Sequence, residues 1–137
     1  MGHVYTEITL RNPFDVRDYK RGMIDEPEIR QATITAMVDT GAATLVINED
    51  IRRQLGLEAE DTYEAELADG SKQIYSYTEA VQIQWKNRRA TCQAVVVPNA
   101  NEILLGAIPL EAMDLIINPL RQELTGAHGD EILYKIK

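Results

Sequence analysis

The sequence predicts a mainly β domain with one or two short helices, and three observations support this. Short runs alternating apolar and polar residues recur along the chain, as in half-buried strands. Asn-Pro, Asp-Gly and isolated glycine breaks separate them. Helix start and stop signals occur together only around residues 48–56 and 109–114. At 137 residues, 45% hydrophobic and 26% charged, the chain is expected to form one domain over residues 1–137 with a real core.

The elements follow in order. Over residues 4–10, Val4, Thr6, Ile8 and Leu10 alternate with Tyr5, Glu7 and Thr9, and Asn12-Pro13 ends the strand. Residues 14–31 are rich in charge and contain Gly22 and Pro27, which predicts a solvated loop or short hairpin. A strand over residues 32–38 alternates Ile34, Ala36 and Val38 with Thr33, Thr35 and Met37, and a short one follows at Leu45, Val46 and Ile47. Asn48 then suits a helix N-cap, with Glu49 and Asp50 in the first turn, Ile51 and Leu55 facing inward, and Gly56 as the stop. Residues 63–77 read as a hairpin with a type I′ turn at Asp69-Gly70. Tyr63, Tyr75 and Tyr77 are expected to be packing or rim residues of that hairpin. A second hairpin starts at residues 80–85, turns at Lys86-Asn87-Arg88 and returns through Val97. Ile103, Leu104 and Leu105 form a strand ending in Gly106, and Pro109 opens a helix with Leu110 and Met113 on one face. Weak strands are expected at residues 115–117, 122–124 and 132–136.

Composition excludes several classes of function. A formal charge of −8 opposes a broad grip on nucleic acid, and the basic cluster Lys86, Arg88 and Arg89 is expected to decorate a turn. No run is long and apolar enough to span a membrane. His3, His128 and Cys92 lack the spacing of a metal site, and Cys92, within an apolar run, reads as a strand residue. One cysteine and the absence of a basic-then-apolar leader predict a cytoplasmic protein.

Chemistry concentrates at Asp39-Thr40-Gly41-Ala42, which lies between two apolar strands. Gly41 leaves room for close backbone approach, and its amide and the Thr40 hydroxyl are suited to orient the carboxylate. The triplet is short enough to occur by chance, as a turn without chemistry, and gains weight from the rest of the pattern.

That pattern is Val38-Asp39-Thr40-Gly41-Ala42, a hairpin with a glycine tip, then Ile103-Leu104-Leu105-Gly106 and a short helix. It resembles the retroviral-type (retropepsin-like, clan AA) aspartic proteases, and most of all their free-standing bacterial and cellular single-domain members, over about residues 32–124. The resemblance implies a closed acid-protease barrel with one lobe per chain. It makes Asp39 catalytic with Thr40 and Gly41, and Leu104, Leu105 and Gly106 the support of the active-site loop. The hairpin at Asp69 and Gly70 becomes a flap. Ala42, Ala68, Asp69, Gly70, Ile103 and Ile108 become substrate-binding residues, with Ile34 a further pocket candidate. It implies a peptide or protein substrate, no cofactor and no metal.

Hydrolysis by this chemistry needs two carboxylates, one acting as base toward water and one as acid toward the carbonyl. One chain offers one Asp-Thr-Gly, so a homodimer is expected, with the strands at residues 4–10 and 132–136 at its interface or over the cleft. The chain departs from the viral pattern at Ala43 and Ala107, where an acidic and a basic residue are usual, and at Ile108, where Asp or Asn is frequent. These departures favour a second expectation, an inactive dimerisation or peptide-binding module of the same fold.

Overall fold

The computed structural model describes residues 3–128. Its strands are β1 (Val4–Arg11), β2 (Gln31–Val38), β3 (Leu45–Ile47), β4 (Ala59–Glu66), β5 (Lys72–Trp85), β6 (Arg88–Val96), β7 (Ile103–Leu105), β8 (Leu115–Asn118) and β9 (Glu123–Gly126). The helices are α1 (Pro13–Lys20), α2 (Glu49–Leu55) and α3 (Ala107–Ala112). The strand expected at residues 132–136 lies outside the described residues.

Strands run in the order β1-β2-β7-β3-β6-β5, and β5 returns to pair with β1 through Thr9, Leu10 and Arg11 opposite Gln84, Ile83 and Gln82. Six strands therefore close into a barrel, which removes the open edges that a flat sheet would expose. The mainly β, closed-barrel expectation holds. The barrel encloses Ile8, Leu10, Leu45, Ile47, Val81, Ile83 and Leu105, all fully buried. Each such side chain contributes about 1.5–3 kcal/mol by leaving water. Trp85 seals one side, with its indole N–H donating to the Thr6 hydroxyl at 2.7 Å.

β5 is one strand of 14 residues shared by both expected hairpins: its first half carries β4 outside the barrel, and its second half joins the wall. Register shifts between Tyr77 and Ala80, and between Ala59 and Asp61, mark the change from one role to the other. Thr78 fills this irregularity, fully buried, accepting from the Ala94 N–H at 3.1 Å and donating to the Glu79 carbonyl at 2.7 Å.

Three expectations need correction. The segment expected to be a loop contains α1, which raises the count to three α-helices among the described residues. Asn12, which ends β1, also caps α1: its Oδ1 accepts from the Phe14 and Asp15 amides, and its Nδ2 donates to the Leu55 carbonyl at the end of α2. The β4–β5 tip is not a type I′ turn, because Asp69 lacks the positive φ that such a turn requires while Gly70 has φ 85°. Leu67 and Ser71 close a three-residue loop, with the Gly70 N–H donating to Leu67, the pattern of a type I turn followed by a glycine bulge. The basic cluster is also divided. Lys86 lies over the Trp85 ring and Arg89 is exposed, but Arg88 is 1% exposed and donates to the Met113 and Asp114 carbonyls at 3.0 and 2.7 Å, at the C-terminal end of α3.

α2 and α3 match their sequence signals. Asn48 accepts from the Ile51 N–H, Gly56 stops α2 with φ 64°, and Leu110 and Met113 bury the inner face of α3. β8 and β9 form a separate two-stranded sheet. No helix among the described residues is long and apolar enough to cross a membrane.

Candidate active site

β2 and β7 run parallel, side by side, so both chains leave the sheet at the same end. The loop over residues 39–44 crosses above the end of β7 and re-enters as β3, which pairs with β7 through Val46 and Leu104. Two apolar strands thereby hold a short polar loop over the barrel end.

Backbone bonds fix this loop from both sides. The Asp39 N–H donates to Leu105 at 3.0 Å, and the Ala107 and Ile108 N–H groups donate to the Ala42 and Ala43 carbonyls, each at 2.9 Å. The Ala42 N–H closes a turn onto Asp39 at 3.1 Å. Within the loop the Asp39 Oδ1 accepts from the Gly41 N–H at 2.9 Å, which sets the carboxylate's orientation. A Cβ at Gly41 would stand 3.1 Å from that same oxygen, close enough that the carboxylate would have to shift by a few tenths of an ångström. Thr44, buried behind the loop, anchors it to β6 by donating to the Gln93 carbonyl at 2.7 Å. Asp39 is half-buried, and Thr40 and Gly41 are exposed.

The β4–β5 hairpin reaches this loop through its base. Tyr77 shares a cavity with Ala43, Thr44, Cys92, Gln93 and Ile108. Ala68, Asp69 and Gly70 form the exposed hairpin tip, where the Asp69 carboxylate accepts from the Ser71 hydroxyl and amide. No group of three or more His, Cys, Asp or Glu side chains among the described residues is arranged to hold a metal ion.

The model of the family described as gag-polyprotein putative aspartyl protease matches residues 26–112. The chain belongs to this aspartyl protease family. The matched span runs from before β2 to the end of α3 and contains both the Asp39 loop and the β7–α3 segment that clamps it. Among solved structures, the chain is similar to a retropepsin-like aspartic protease from Rickettsia conorii, at 18% identity and a TM-score of 0.48, over 77% of this chain and 67% of that one. No curated protein sequence matches it.

Within this aspartyl protease chain, the residues expected to support the loop differ in burial. Leu105 and Gly106 are buried against the Asp39 loop, and Leu104 is half-buried. Ile108 is 54% exposed beside Ala43. Ile103 needs correction as a substrate contact: it is 6% exposed and packed in the core, because its place in β7 opposite Ala36 turns it inward. Ile34 is likewise packed against the core. Sequence reasoning missed Thr44 and Gln93, whose link depends on the β3–β6 pairing across 49 residues. The strand alternation of Tyr77 was the available signal for its place at the cleft.

Proposed function

We propose that the protein is a homodimeric aspartic endopeptidase in which water is activated between Asp39 of one chain and the partner's Asp39. The observation that carries this reading is the clamped loop, which presents one oriented carboxylate per chain at the end of the barrel. In the dimer one carboxylate takes a proton from water while the other, protonated, donates to the carbonyl oxygen of the scissile peptide. The new C–O bond gives a tetrahedral intermediate, and proton transfer to the nitrogen releases the amine. Two carboxylates at close range resist double ionisation, so the pair holds the single proton that both roles need. Thr40, exposed next to Asp39, bonds across the two-fold axis, and the β4–β5 hairpin closes over an extended peptide through Ala68, Asp69 and Gly70. Ala42 and Ile108 flank the peptide near the carboxylates. We place this activity in the cytoplasm, where the lone Cys92 stays reduced.

Incubation with a diverse peptide mixture from acidic to neutral pH tests the reading. Asp39→Asn should lower cleavage by at least about a hundredfold. Cleavage at the wild-type rate in that variant would assign the catalyst elsewhere. One observation favours a second reading, a peptide-binding module: no charged side chain stands at Ala43, Ala107 or Ile108 to brace the loop. Peptide binding by the wild type without cleavage at any pH would select it.

A further inference from the structure

The cavity beside the Asp39 loop measures about 350 Å³. Its walls, Ala43, Thr44, Tyr77, Cys92, Gln93 and Ile108, carry no charge, and burial pushes the Cys92 thiol upward and keeps it neutral. From Tyr77 the wall continues outward as a cluster of rings. Tyr63 lies 4.8 Å from Tyr77 and 5.9 Å from Tyr75 between ring centres. In the β4–β5 register Asp61 is opposite Tyr77 and Tyr63 is opposite Tyr75. The pleat therefore places the Asp61 carboxylate and all three rings on one face. Glu60 joins this rim because its Oε2 accepts from the Gln93 Nε2 at 3.2 Å. Lys72, the only basic residue between positions 58 and 78, is engaged by Glu64 at 3.4 Å on the opposite face.

Ala43, Cys92 and Ile108 give the cavity beside the Asp39 loop an apolar lining, Tyr77 lines the same cavity, and on the neighbouring strand Asp61 lies opposite Tyr77 with Tyr63 and Glu60 on either side in sequence. That arrangement matches a side chain with a methylene stem and a cationic tip. Aromatic faces attract cations through the ring quadrupole, and two exposed carboxylates complement the charge at the far end. We infer that this cavity binds the side chain of a lysine or arginine in a peptide lying across Asp39, with the stem along Ile108 and Tyr77 and the cation at Tyr63, Glu60 and Asp61. An uncharged apolar side chain fills the interior but leaves the carboxylates unmatched. A glutamate is repelled both by them and by the net charge of −8.

The inference rests on the proposed peptide-cleaving site for its place in catalysis, but binding tests it separately. Fluorescence anisotropy on Asp39→Asn protein would compare labelled peptides identical except for one residue, Arg, Lys, norleucine or Glu, moved through each position in turn. At one position Arg and Lys should bind on the order of tenfold tighter than norleucine. That advantage should shrink as salt rises and lose most of its size in the Glu60→Gln, Asp61→Asn double variant, which keeps its norleucine affinity. Equal affinity for Arg and norleucine at every position, no binding of any peptide, or an advantage undiminished by the double substitution would overturn it. A protein that binds basic peptides and cleaves none would sink the endopeptidase reading alone. Cleavage indifferent to basic residues near the bond would sink this inference alone.

Discussion

At Gly106 an added methyl group would sit 2.3 Å from the Thr44 carbonyl oxygen, 2.6 Å from that of Ala42 and 2.8 Å from the Thr44 amide. All three are backbone atoms of the loop that carries Asp39, so no side-chain rotation can relieve the clash. Gly106→Ala should destabilise the protein by about 3 kcal/mol, at the upper end of overpacking effects, and should reduce any Asp39-dependent cleavage by more than the loss of folded protein accounts for. Urea unfolding together with cleavage corrected for the folded fraction checks this, and unchanged values for both would remove Gly106 from the loop's support. This residue was legible through the family resemblance, which implies that the Leu104-Leu105-Gly106 segment packs behind the loop carrying Asp39. Arg88 was not legible. Its burial depends on carbonyls of Met113 and Asp114 more than twenty positions away, and a charged residue in a hairpin turn carries no local sign of such partners.

At the scale of elements, α1 shows how one signal can serve two purposes. Asn12-Pro13 reads correctly as the end of a strand, but Asn12 is also an N-cap and Pro13 the first helical residue, and the charge-rich segment beyond hides the buried Asp15. Asp15 accepts from the Arg30 Nε at 2.8 Å, from its Nη2 at 2.9 Å and from its backbone N–H at 2.9 Å, pinning α1 to the start of β2. The side-chain bonds to Arg30 are the chief reason the Asp15 pKa lies below its ordinary value, with the backbone bond and charge attraction adding to them and burial opposing them. A carboxylate with a depressed folded-state pKa contributes stability that is complete above its unfolded pKa and is lost as pH falls through the folded value. Asp15→Asn should therefore cost about 1–2 kcal/mol near neutrality, a modest figure because Arg30 is half exposed to solvent. Below the ordinary carboxylate range the variant and the wild type should converge. Thermal melts from pH 7 down to pH 2 measure this, and a gap that persists undiminished at the acid end would show that Asp15 acts through packing.

At the scale of the molecule, barrel closure was expected from the family resemblance, but local pattern could not show which strands close it, since β1 meets β5 over three residues 73 positions or so distant. Nor did pattern show that β8 and β9 form a sheet of their own, hydrogen-bonded to no barrel strand but packed on the core through Leu115 and Leu124. A two-stranded sheet is marginal alone, and open strand edges are templates for pairing with another chain. On this one, Ile116 is 52% exposed and Leu120, in the connecting turn, is 94% exposed. In the proposed dimer, these features make β8–β9 a further surface, besides the expected terminal strands, through which two copies would join on a two-fold axis. If two Asp39 residues make one site, specific activity must rise with protein concentration through the range where dimers form and level off above it. Ile116→Lys with Leu120→Asp should move that midpoint upward by more than tenfold. Far-ultraviolet circular dichroism, which reports the strands and helices of the folded chain, should stay unchanged. Sedimentation velocity alongside the activity titration gives both readings. Full activity in a species that sediments as a monomer would place the second carboxylate within the same chain, and an unshifted midpoint in the double variant would move the interface away from β8–β9.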